Sequence, residues 1–141
     1  MTEQSAAAEG WHQRYFLGID EIDSQHHRLF DLMDTLDQAI ADREPWLVLH
    51  DILEQLQRWV EVHFSVEEAL MGILGYPRLE SHRRAHQAFA ASLAARRASV
   101  LSNELATDTA EWLRLWLRDH IGVADRDYAG FFRQRVGDRQ P

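Results

Sequence analysis

The sequence predicts an all-α protein: an antiparallel up-down four-helix bundle with an N-terminal arm and a short C-terminal helix. Three observations lead there. Apolar residues recur at helical spacing in four segments, and no stretch alternates as a strand would. The breaks between segments are short and carry helix-ending or helix-starting residues, Gly75 and Pro77 among them. Of 141 residues, 45% are apolar, enough to fill one buried core. The expected division is a disordered tail over 1–10, the bundle over 11–135 and a flexible tail over 136–141.

Composition narrows the function classes. With no cysteine, the chain has no disulfide or thiolate metal site, and histidine and carboxylate are left as its ligand vocabulary. A formal charge of −8, with basic residues scattered rather than striped, argues against nucleic acid and against an anionic membrane surface. The N-terminus carries no basic-then-apolar leader pattern, and no uncharged run is long enough to span a bilayer. A cytoplasmic protein, taken as a monomer, is the expectation.

The elements follow in order. Trp11 to Ile22 mixes aromatics with Gly18, Ile19 and Ile22, which suits an extended arm laid across helices. Asp23 or Ser24 is the expected cap of a first helix whose apolar positions Leu29, Phe30, Met33, Leu36 and Ile40 share a face with His26. His27 points away and is expected at the surface. After Pro45, a second helix places Trp46, Leu49, Leu53, Leu56, Trp59, Val60, His63, Glu67 and Leu70 or Met71 on one stripe. Gly75 can end it. A third helix starts near Pro77 and carries Leu79, His82, His86, Phe89 and Leu93 inward. The fourth starts at Ser102-Asn103 or Thr107-Asp108 and runs through Leu113, Trp116, Leu117 and His120.

Asp125 lies five residues past His120, and a regular α-helix would turn it roughly 140° from that histidine's face. Sharing a site therefore requires the helix to end, tighten or bulge around Gly122, and such an irregularity is expected there. Phe131 and Phe132 then pack a short final helix back on the bundle.

The inward polar positions are His26, His63, Glu67, His82, His86, His120 and Asp125. On a helix, His63 with Glu67 and His82 with His86 each lie about one turn apart on one face. Five imidazoles and two carboxylates are too many for one tetrahedral zinc. If each carboxylate bridges, they supply enough bonds for one six-coordinate and one five-coordinate metal once an oxo or hydroxo bridge is added, which leaves a vacant position. One inward histidine alone is better read as a satisfied core residue. Five together reverse that, because burying so many unpaired imidazoles costs several kcal/mol.

The motifs DSQHHRLF, HFSVEE, ALM with GYP, HRRAH and WLRDHIGVAD, in this order, resemble the bacterial hemerythrins, non-haem di-iron oxygen-binding proteins. The resemblance spans most of the chain, the arm at Trp11 and Leu17-Gly18-Ile19 included. It implies that His82, His86 and His120 bind one iron and His26 and His63 the other, with Glu67 and Asp125 bridging. Dioxygen would bind reversibly at the open position of the second iron, for storage, transport or delivery. It also implies an apolar oxygen pocket at Phe64, Trp116, Leu117 and Ile121, with Leu117 as its gate. The imidazole-rich donor set agrees with binding rather than turnover, since oxygen-activating di-iron bundles use more carboxylates. The alternatives are a module sensing oxygen, nitric oxide or iron, and a di-iron scavenging oxidase.

The remaining candidates take plainer readings. Gln25 and Glu68 adjoin ligand positions and could steady a histidine, although a solvated neighbour is the better expectation for Glu68. Trp59, Trp112 and Trp116 are expected in the core. His12, His50 and the arginine pairs at 83–84 and 96–97 are expected at the surface.

Overall fold

A computed structural model of the chain describes residues 17–137. The expected tail over 1–10, residues 11–16 of the arm and the end of the chain beyond 137 lie outside the described residues.

Helix α1 runs Asp20–Ala41 and follows the turn at Leu17-Gly18. It starts earlier than expected, with Ile19 at the cap position, so neither Asp23 nor Ser24 caps it. Asp23 reaches back instead. The backbone N–H groups of Leu17 and Gly18 donate to its two carboxylate oxygens at 2.8 and 3.0 Å, which ties the arm to the first turn and places an acidic group beside the helix's positive end.

Helix α2, Trp46–Leu74, follows Pro45 directly. Its buried stripe runs from Leu49 to Met71 as expected, with Trp59 only partly buried, but the first expected residue, Trp46, is half exposed, at 50%. It overhangs the end of the bundle and lays its ring edge-on to His50 at 5.5 Å. His50 is itself only half-buried, and its Nε2 stands 2.6 Å from the Val100 carbonyl, so it joins the start of α2 to the segment after α3 rather than sitting free at the surface.

Gly75 ends α2 in the left-handed conformation, at φ 71°. The Tyr76 N–H returns to the Met71 carbonyl at 2.9 Å and that of Gly75 to Gly72 at 3.3 Å, the paired closure of a Schellman motif. Helix α3, Leu79–Ser99, starts two residues after Pro77. Helix α4, Asn103–Asp119, takes the first of its two expected starts: the Ser102 hydroxyl accepts from the Leu105 N–H at 3.2 Å. A π-helical turn, His120–Asp125, follows, and α5, Arg126–Gly137, is the last helix among the described residues. That turn is the irregularity expected around Gly122.

Helix α1 packs on α2 and α4, α2 packs on α3, and α5 folds back towards α2. Two apolar layers result. The larger joins Leu29, Phe30, Leu53, Val60, Phe89, Leu113 and Leu117 with their neighbours; the smaller joins Leu17, Ile19, Ile22, Met71, Tyr76, Tyr128 and Ala129. On α1, α2 and α3 the inward histidines, with Glu67, fall between these layers, as His26 does between Ile22 and Leu29. No helix among the described residues is long and apolar enough to cross a membrane.

Gly75→Ala should lower stability by about 1–2 kcal/mol in urea unfolding, the cost of a side chain in the left-handed region. An added Cβ would meet only an ordinary contact, 3.8 Å from Arg135, so the backbone conformation alone carries the effect.

Candidate metal centre

Between the two layers, Glu67, His82, His86, His120 and Asp125 bring ligand atoms within 4.8 Å of one another, and His26, His63, Glu67 and Asp125 do the same beside them. All seven expected residues are therefore together, all are buried, and both carboxylates belong to both groups. Each helix contributes by its own period. One turn of α2 stacks Glu67 on His63, one turn of α3 stacks His86 on His82, and the π-helical turn carries Asp125 back under His120.

The distances describe two neighbouring cradles. Asp125 Oδ1 is 2.9 Å from His82 Nε2 and 3.1 Å from His120 Nε2, whereas its other oxygen, Oδ2, is 3.4 Å from His26 Nε2. Glu67 Oε1 is 3.3 Å from His86 Nε2 and 3.6 Å from His63 Nε2. His86 Nε2 and His120 Nε2 lie 3.0 Å apart. Adjacent ligands on one ion, with bonds of about 2.1 Å at right angles, would stand about 3 Å apart.

The donor set fits metal ions on the protein's own terms. Both oxygens of Glu67, both of Asp125, both nitrogens of His26 and Nε2 of His82 are buried without a hydrogen-bond partner. Such orphaned groups cost about 1–3 kcal/mol each, and cations bound among them would satisfy the carboxylate oxygens and one nitrogen of each imidazole. Burial pushes Glu67 well above the usual carboxylate range, aided by the neighbouring Asp125 charge. Burial works the same way on Asp125, but the imidazoles, His120 foremost, outweigh it and hold that carboxyl well below. His63 is lowered to about 3 and His86 to about 2, first by burial and then by neighbouring imidazoles, so both are neutral and have a lone pair to donate.

The sequence matches the family described as hemerythrin HHE cation binding domain over residues 17–132. The chain belongs to this family. Among individual relatives of this hemerythrin, the bacteriohemerythrin of Stenotrophomonas maltophilia is 30% identical over 84% of this chain and 78% of its own length. That of Clostridium acetobutylicum is 26% identical over 84% of this chain and 96% of its own. The myohemerythrin of Theromyzon tessulatum is 28% identical over 85% of this chain and 90% of its own. Family chemistry and donor set agree: this hemerythrin is a dioxygen-binding protein with a non-haem di-iron centre, built on a buried cluster suited to metal.

The surrounding residues sort less evenly. Phe64, Leu117 and Ile121 are buried and Trp116 is partly so. Phe64 stacks on His86 at 3.6 Å between ring centres, and Trp116 stacks on His120 at 4.3 Å. Trp59, Trp112 and Trp116 do pack against the core, as expected. Gln25 holds His63, with its Oε1 2.6 Å from Nδ1. Glu68 departs from expectation: instead of being a solvated neighbour, it sits 2.8 Å from His86 Nδ1 and receives Arg83 at 3.1 Å, which also takes Arg83 out of the free surface set. His27 is exposed as expected, 3.4 Å from Asp31. Helical spacing does not single out Tyr128. Its hydroxyl is buried without a partner and its ring lies 6.5 Å from that of His82; burial and the charges of Glu67 and Asp125 push its pKa up. Its only signal in the sequence is its place three residues past Asp125.

Metal-free protein should lose stability as the pH falls below 6.5. Unfolded imidazoles at positions 63 and 86 then take protons that the folded ones refuse, about 1.4 kcal/mol per group per pH unit. Glu67, whose carboxyl burial pushes up in the folded state, works in the opposite direction and offsets part of this loss. Chelator-treated protein should thus unfold at lower urea at pH 5 than at pH 6.5; an equal or higher midpoint would contradict these directions.

Proposed function

We propose that His82, His86 and His120 hold one iron and His26 and His63 the other, with Glu67 and Asp125 spanning both, and that dioxygen binds reversibly at the open position of the second. The observation that carries this is the division of Asp125: one oxygen faces the three-histidine group and the other faces His26. Three histidines against two leaves the second ion one protein ligand short. Two ferrous ions would supply the electrons that hold dioxygen without breaking it.

The chain's own residues then keep the bound gas from reacting further. Phe64, Leu117 and Ile121, with Trp116 at their side, form an apolar wall that excludes water and stray protons from the open position. Leu117 is the gate. Gln25 and Glu68 hold the Nδ1 side of His63 and His86, which turns Nε2 of each inward. We further propose a monomeric, cytoplasmic oxygen binder rather than an enzyme, since five imidazoles against two carboxylates give little drive for O–O cleavage.

The deciding experiment reduces iron-loaded protein anaerobically, admits oxygen and follows the visible charge-transfer band through repeated deoxygenation. The band should return on each cycle. Its irreversible loss would defeat the carrier reading, and steady oxygen consumption would mark an oxidase. Leu117→Ala should lower stability by roughly 2–5 kcal/mol and speed autoxidation by admitting water. An unchanged autoxidation rate would put the gate elsewhere.

A further inference from the structure

The two histidine groups are backed by partners of different charge. Glu68 Oε2 lies 2.8 Å from His86 Nδ1, and its Oε1 accepts from Arg83 Nε at 3.1 Å; Arg83 is bonded in turn to Glu80. On the other side a neutral amide does the same job, with Gln25 Oε1 2.6 Å from His63 Nδ1. The backbone at Gln25 is fixed by the Trp59 indole N–H, which donates to its carbonyl at 3.1 Å.

Both partners set the same tautomer, with the proton on Nδ1 and the lone pair on Nε2. They differ in what they do to that lone pair. A carboxylate draws the Nδ1 proton towards itself and makes the ring a stronger donor, which stabilises higher positive charge on a bound metal. An amide oxygen does this much less. Glu68 is placed to be felt, because its side chain is 20% exposed and His86 only 2%. Arg83 moderates the effect by drawing charge from the opposite oxygen.

Resting on the iron assignment above, we propose that Glu68 is a positioning residue that biases the three-histidine iron towards the ferric state, tempered by Arg83. Gln25, carrying no charge, leaves the open two-histidine iron easier to keep ferrous and ready for dioxygen. Reduction of the diferric protein takes two electrons, one per iron, supplied in the test by reduced mediator dyes.

The test compares iron-loaded wild type with Glu68→Gln, Arg83→Gln and Gln25→Glu, each equilibrated anaerobically with mediators of known potential and read by visible absorbance and iron content. Glu68→Gln keeps a hydrogen-bond acceptor but loses the charge, and should shift the reduced-to-oxidised ratio at fixed potential about tenfold towards reduced, equivalent to about 59 mV for a one-electron couple. Arg83→Gln should shift it the other way by a smaller factor, and Gln25→Glu should favour the oxidised form. A simple loosening of structure would move Glu68→Gln and Arg83→Gln in the same direction. That result, or unchanged ratios with two irons bound, would overturn the proposal. Should Glu68→Gln lose iron, the sign of the Arg83→Gln shift decides. Wild type unable to hold two irons would instead overturn the iron assignment, and this proposal with it.

Discussion

Everything in this bundle is arranged around a layer of polar atoms that the protein alone leaves unsatisfied. Two carboxylates and five imidazoles are buried between two apolar layers, and Glu67, Asp125 and His26 find no hydrogen-bond partner there. A fold does not keep such a layer for stability, because apolar residues of the same size would cost less. The layer makes sense when cations complete it. The two apolar layers act as walls that keep water away, so the cluster's lone pairs have nothing but metal and each other to meet.

The geometry that makes two sites out of one layer comes from a single departure from regular helix. Four helices can each aim one or two residues at a common point by stacking them a turn apart, as His63 and Glu67 do. His120 and Asp125 are spaced five apart, and only the wider π-helical turn brings them together. The result is that Asp125 presents its two oxygens to different histidine groups. Division of labour between the cradles continues behind them, where Glu68 brings a charge and Gln25 does not.

Much of this was legible in the sequence, for physical reasons that can be named. Helical period places His26, His63, Glu67, His82 and His86 inward because each shares a face with leucines and phenylalanines, and the five-residue spacing of His120 and Asp125 forces a break in the helix. What period cannot supply is the end of the bundle or the identity of a neighbour. Trp46 fits the stripe of α2 yet overhangs the last layer, so it is half exposed. Glu68 lies beside the inward stripe, and whether it meets water or His86 depends on how far α3 has come alongside α2. Asp23 is one of two caps the sequence offers, with Ser24, but the arm at Leu17 and Gly18 claims it. Tyr128 sits on a helix whose phase is set only after the π-helical turn, so its inward position could not be read ahead.

The most direct test of the central claim is a crystal structure of the iron-loaded protein with anomalous scattering recorded at the iron edge. Two peaks are predicted inside the bundle, one among the Nε2 atoms of His82, His86 and His120 and one beside those of His26 and His63, with Asp125 and Glu67 between them. A single peak, or iron found only at the surface, would contradict it.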